Sequence, residues 1–344
     1  MASLIQAWQD VTLLNKRMSY TVTQESFDSL ASYWTDSSQR LKWGSVFVLP
    51  PWLKVWWREF KPETELCLSA VKQGADIIGI APLMVKGGKA SLIGSVDVCD
   101  YLDFVIVPGK ESDFFNALLD DLSQKGIDGL DLRALRPDST VLTYLAGIVE
   151  KRGYEISCHS ESVSVELDLP ATWEEYLALL DKKQRHEVRR KLRRLWEADE
   201  VAYRCVQVGQ KEVGDLTSIF LKLFSLSREE KANFMTTKME SFFNSLAKAM
   251  AEVGLLRYGI LEIGKMPVAM IMGFDYNDTM YLYNSAYDPQ YNSLSVGLLS
   301  KVLCLKESIT RGKKKWDFLK GAEEYKYQLG GGEITLDNCQ IIIR

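Results

Sequence analysis

Residues 255–321 read LLRYGILEIGKMPVAMIMGFDYNDTMYLYNSAYDPQYNSLSVGLLSKVLCLKESITRGKKKWDFLKG. Three apolar segments, 255–262, 267–275 and 279–286, are separated by the turn pairs Gly264-Lys265 and Asn277-Asp278. A polar loop, 288–295, follows. Apolar residues at helical spacing then run over 296–310, and Gly312 stands where a helix ends. Residues 316–319 form a short strand closed by Gly321. The order is strand, strand, strand, loop, helix, strand.

A strand that passes through a loop into a helix start gathers unpaired backbone N–H groups and the positive end of a helix dipole. Such a place takes a phosphate or carboxylate. Here the cradle consists of Asn292, Ser293, Leu294, Ser295, Val296 and Gly297, after Tyr291. Ser293 and Ser295 suit the N-cap, and Gly297 admits a ligand close to the backbone. The plainer reading is an ordinary strand-to-helix connection with a serine cap.

The chain has 344 residues, 47% hydrophobic and 26% charged, with net charge −4. That allows two domains with sizeable cores. Six scattered cysteines without a CxxC pair, and only two histidines, argue against a Cys/His metal site. We read the cysteines as buried, inert and reduced. The N-terminus lacks the pattern of a signal peptide and no apolar run is long enough to span a bilayer, so the expectation is a soluble cytoplasmic protein.

Residues 1–19 carry little pattern and read as a loose arm. At 50–57, PPWLKVWW starts a helix at Pro51 with Trp52, Val55 and Trp56 on one face, either core packing or one wall of a cleft. Asp100-Tyr101-Leu102-Asp103 places two acids in a strand-like run, which is unusual unless they meet solvent or a cleft. Strand-like segments 66–71, 77–85 and 103–107, a helix, and 130–134 repeat the order of the opening stretch. The chain therefore reads as one fold twice, with domains 1–168 and 169–344. After Pro170, Thr172 and Glu175 form a capping box, and the helix runs on through KKQRHEVRRKLRRLW. Residues 181–196 hold eight Lys/Arg against two acids, a local +6 that leaves −10 elsewhere. That helix is either a guide for an anionic ligand or a solvated amphipathic face. Arg228 and Lys231 lie near the linker 229–236, and Asp317, Glu323, Glu324, Tyr325 and Lys326 crowd a strand end and its exit loop.

These pieces together resemble the CelD-like (cellulose-biosynthesis-protein-like) branch of the GNAT acetyltransferase superfamily. The resemblance rests on KKQRHEVRRKLRRL (182–195), LFSLSREEKANF (223–234), GKMPVAMIMGFDYNDTMYLYNSAYDP (264–289), WDFLKGAEEYKYQLG (316–330), and in the first half PPWLKVWW, IIGIAPLMV (77–85) and DYLD (100–103). It implies a mixed α/β (α+β) fold of two tandem GNAT-like domains, each a largely antiparallel mixed sheet flanked by helices, as in Fem-type aminoacyl transferases. It implies an acyltransferase that takes an acyl group from acyl-CoA to an amine or hydroxyl, with no metal. The CoA pyrophosphate would lie on Asn292–Gly297. Of the family's R/Q-x-x-G-x-G/A loop only Gly297 is present. Fem-type proteins also lack the full loop and use aminoacyl-tRNA, so tRNA is the alternative donor; a non-catalytic binding module is a third reading. Candidate catalytic residues are Asp317 and Glu324 as bases and Tyr283 as proton donor. Candidate substrate contacts are Trp52, Asp100, Tyr101, Arg228, Tyr325 and Lys326.

Overall fold

The computed structural model describes residues 20–95, 97–198 and 200–343; the arm read at 1–19 lies outside them. Thirteen strands form one mixed sheet. They are β1 (Tyr20–Gln24), β2 (Glu65–Gln73), β3 (Asp76–Lys86), β4 (Lys89–Leu92), β5 (Val105–Ile106), β6 (Gly129–Leu135) and β7 (Glu155–Asp168) in the first half. The second half supplies β8 (Val201–Gln207), β9 (Leu256–Ile263), β10 (Met266–Tyr276), β11 (Thr279–Tyr287), β12 (Lys315–Lys320) and β13 (Gly332–Ile342). The order across the sheet is β1-β2-β3-β4-β6-β13-β7-β12-β11-β10-β9-β8, with β5 on β3.

The expected repeat is present. β2-β3-β4 and β9-β10-β11 are antiparallel meanders, and each third strand pairs in parallel with the strand after its helix, β4 with β6 and β11 with β12. The third strand of the first half is Lys89–Leu92, however, not 103–107; Gly87 and Gly88, both at positive φ, make the tight turn that leads into it. β7 runs as one strand over Glu155–Asp168. Its exposed middle, His159-Ser160-Glu161, looks like a break, yet β13 pairs along it with a single register shift.

The halves also exchange strands. β13, from the second half, lies between β6 and β7, and β7, from the first half, pairs with β12. A disulfide joins Cys158 to Cys339, which face each other in the β7–β13 register 181 residues apart. This corrects the reading of every cysteine as a thiol. Cys67, Cys99, Cys205 and Cys304 remain free.

Helices cover both faces of the second half. β10 is buried along most of its length because Val268, Ala269 and Ile271 meet the Val296–Thr310 helix side, while Met270, Met272 and Phe274 join the core beneath helices Val213–Ser227 and Thr237–Glu252. Across the seam, helix Pro50–Phe60 packs on Thr237–Glu252, and Glu59 accepts from the hydroxyls of Ser241 and Ser245 at 2.7 and 2.8 Å. The Thr172–Glu175 capping box forms as read, but its helix is only Trp173–Leu179. Asp181 accepts from Gln184 N at 2.8 Å and starts the basic helix Lys182–Trp196 anew. No described helix is long and apolar enough to cross a membrane.

Because β13 closes the sheet of both halves, a chain terminated after Gly331 is expected to lose both. Limited proteolysis should find no resistant fragment from residues 20–168; a first half that stays protected would show that the exchange is dispensable.

Candidate active site

β11 and β12 pair over Thr279↔Lys315, Met280↔Trp316 and Tyr281↔Asp317, then separate. At that point Asp317 Oδ1 accepts the N–H of Leu319 at 2.8 Å, and Leu319 takes φ 63°, a left-handed conformation rare outside glycine. β12 bulges against β7 between Asp317 and Leu319 and turns out through Lys320 and Gly321. β11 continues straight to Tyr287. The gap holds a cavity of about 780 Å³, within the range of small-molecule sites.

Of the cradle residues, Asn292, Ser295 and Gly297 line this cavity. Ser293 is exposed, Leu294 is half-buried against the core, and Val296 is fully buried. The loop is a 3-10 turn, Pro289–Leu294, and Ser295 occupies the N-cap of helix Val296–Thr310 at φ 56° without a side-chain cap bond. Gly297 is required for a local reason. A Cβ there would stand 2.8 Å from Cδ1 of Tyr287, whose ring covers it. The Tyr287 ring fills the space on the Cβ side of Gly297, while Gly297 itself remains part of the cavity lining.

Glu324, Tyr325, Tyr283, Asp100 and Arg228 also line the cavity. Tyr283 donates to Val98 O at 3.2 Å, and Glu324 accepts from Gln328 Nε2 at 2.6 Å. Burial pushes Asp100 up to about 6, opposed by the N–H of Lys320, which donates to its Oδ2 at 3.3 Å. Lys326 is almost wholly buried, and its ammonium donates to the carbonyls of Leu319, Lys320 and Gly321 at 2.9, 2.8 and 3.0 Å and pairs with Glu323 at 2.9 Å. It holds the strand exit in place.

Asp317, Trp52 and Tyr101 do not line the cavity. Trp52 is fully buried at the seam, edge-on to Phe274 and Tyr283, with Nε1 donating to Cys99 Sγ at 3.3 Å. Tyr101 comes from a loop rather than the expected strand. It crosses the seam to donate to Asp317 Oδ1 at 2.8 Å, shares a hydrogen bond with Ser164, and lies under the Arg136 guanidinium. Arg136 pairs with Glu166 at 3.0 Å, and Glu166 with Lys315 at 2.5 Å. Burial raises the Asp317 carboxyl to about 7 against the Leu319 N–H, Tyr101 and Arg136.

Sequence reasoning missed Lys301 and undervalued Lys231. Lys301 is 7% exposed, lines the cavity, and donates to Gly297 O at 2.7 Å; its ammonium lies 4.9 Å from the centre of the Tyr325 ring. Burial first, then the charges of Lys231 and Arg228, bring it down to about 7. Lys231 donates to Ser285 O and stands over the Phe224 ring; burial and Arg228 bring it down to about 8. A separate pocket of 220 Å³ has Leu298 and Gln328 in common with the cavity lining and is also lined by Lys183 and Lys191 of the basic helix. No group of three or more His, Cys, Asp or Glu able to hold a metal occurs among the described residues.

Residues 182–327 match the model of the acetyltransferase (GNAT) domain. That segment is similar to a GNAT acetyltransferase domain over less than half of the chain. Among solved structures, FemX aligns at TM-score 0.62 over 93% of this chain and 96% of its own, at 10% identity. A conserved protein of unknown function from Bacteroides thetaiotaomicron aligns at 0.56 over 94% and 100%, at 12% identity. The C-terminal domain of a putative lysylphosphatidylglycerol synthetase from Agrobacterium fabrum aligns at 0.52 over 78% and 81%, at 9% identity. At these identities the likeness is one of fold. The search of curated proteins finds no match.

Asp317→Asn keeps an acceptor for Leu319 and Tyr101 but cannot ionise. The native pKa of Asp317, about 7, lies above its ordinary 3.8, so its contribution to stability is fully present below pH 4 and is lost as pH rises to about 7. Denaturant titrations should show the Asn variant gaining on the wild type across pH 4–7, with a relative slope of up to about 1.4 kcal/mol per pH unit. A constant difference between the two would mean that Asp317 is already ionised in the folded protein.

Proposed function

We propose that this protein is an acyltransferase of the CelD-like branch, with domains 1–168 and 169–344, that moves an acyl group from a carrier thioester to an amine or hydroxyl. One observation carries the reading: the cavity opens where β11 and β12 separate, beside the start of the Val296–Thr310 helix. That gap is wide enough to hold donor and acceptor side by side, which is most of what such a transfer asks of a protein.

In this reading the acceptor nitrogen or oxygen attacks the thioester carbonyl carbon. Glu324, exposed on the cavity wall, takes the acceptor proton, the C–S bond breaks, and Tyr283 donates to the departing thiolate. Asp317 acts as a positioning residue, since it stands outside the cavity and fixes the β12 exit through Leu319. Acyl-CoA is the proposed donor. Aminoacyl-tRNA is the second reading, favoured by a neighbouring pocket lined by Lys183 and Lys191 of the basic helix.

Purified protein offered acyl-CoAs of several chain lengths, and separately aminoacyl-tRNA, with amine and hydroxyl acceptors should discharge one of the two donors. Glu324→Gln should lower kcat by about 10²–10⁴-fold with KM little changed. If neither donor binds or reacts, the enzyme reading fails and a binding module takes its place; full turnover in Glu324→Gln would remove only its assigned role.

A further inference from the structure

The cavity, whose lining also holds Asp97, Asp100, Glu323 and Glu324, gathers three cations that make no ion pair among the described residues. Arg228 begins the short helix Glu229–Phe234, Lys231 lies one turn on, and Lys301 sits on the facing helix Val296–Thr310. The opposite charge felt by Lys231 and Lys301 is Glu323, already paired with Lys326. Lys301 spends one N–H on Gly297 O, and the Arg228 guanidinium makes no hydrogen bond among the described residues. Their mutual influence shows that they share one electrostatic neighbourhood.

Burying the Lys301 ammonium beside two further cations opposes folding, and a solubilising surface would not do it. The backbone nevertheless holds them there. Ser227, 5% exposed, accepts Tyr287 N–H at 2.8 Å, with its Oγ 2.9 Å from Tyr287 O and 2.7 Å from Leu223 O. That clamp fastens the residue before Arg228 to β11. At the start of the facing helix, the Tyr287 ring takes the space a side chain at Gly297 would need, and Ser295 makes no side-chain cap bond.

We propose that Arg228, Lys231 and Lys301 form a phosphate site, so that one substrate of the transfer is a phosphoester or diphosphate recognised by these three side chains. A planar guanidinium and two ammonium groups supply the donors that three phosphoryl oxygens accept, and a dianion relieves the repulsion. This rests on the transferase reading for its purpose, but not for its detection.

The probe is inorganic pyrophosphate, titrated calorimetrically into the full chain at low ionic strength. The wild type should bind it. Lys301→Met, Lys231→Met and Arg228→Gln should each weaken binding at least tenfold, and Lys301→Met should leave the Tm of the unliganded protein equal or higher. Should Lys301→Met fail to fold, Arg228→Gln decides, since its side chain is exposed. Competition by coenzyme A assigns the phosphate to the donor, and competition by a nucleoside diphosphate sugar assigns it to the acceptor. No binding, equal binding by the variants, or displacement by acetate as readily as by phosphate would overturn the site. Pyrophosphate binding without any acyl transfer would sink the transferase reading alone. Transfer undiminished in all three variants would sink this inference alone.

Discussion

Parallel strands share hydrogen bonds only while they stay about 4.8 Å apart. β11 and β12 manage this for three residue pairs. The pairing ends where Asp317 turns its carboxyl onto the N–H of Leu319, which is thereby satisfied by a side chain of its own strand. Tyr101, reaching in from the other half, hydrogen-bonds the same oxygen. The gap between the strands therefore depends on a carboxyl group that never meets the space it creates. Lys326 completes the arrangement by binding three successive carbonyls of the β12 exit.

The first half shows what happens without that opening. β4 and β6 also pair for three residues, and β6 also carries one left-handed residue near its end, Ala134 at φ 56°. There, however, the N–H of Leu102 donates to Ala134 O at 3.1 Å, and residues 97–104 fold into the equivalent place. The loop that fills this half delivers Tyr101 to Asp317 in the other. The repeat thus works asymmetrically, one copy supporting the cleft of its twin.

Local patterns carried much of this. The helix Val296–Thr310 and the three strands before it are bounded by turn pairs and a terminal glycine, so period and punctuation found them within a residue or two. The strand exchange was not legible, because pairing between β13 and β6 is a matter of distant partners and leaves no mark on either segment alone. β4 was passed over because four residues are too few to show alternation, although Gly87-Gly88 announced its turn. Asp100-Tyr101 was misread as strand for want of any sign that a tyrosine would cross the seam. Lys301 did leave a signal: it interrupts a helix whose neighbours Leu298, Leu299, Val302, Leu303, Cys304 and Leu305 are apolar on nearly every side. A lysine in such company cannot stay at the surface.

The placing of β13 has a consequence for how the molecule is made. On the ribosome, β6 and β7 emerge with a vacant lane between them, and Cys158 waits for a partner 181 residues downstream. Until that lane is filled, two bare strand edges face solvent, the kind of surface that recruits chaperones or foreign strands. Folding here is a closing stitch drawn from the far end of the thread, slow because its contacts are remote in sequence.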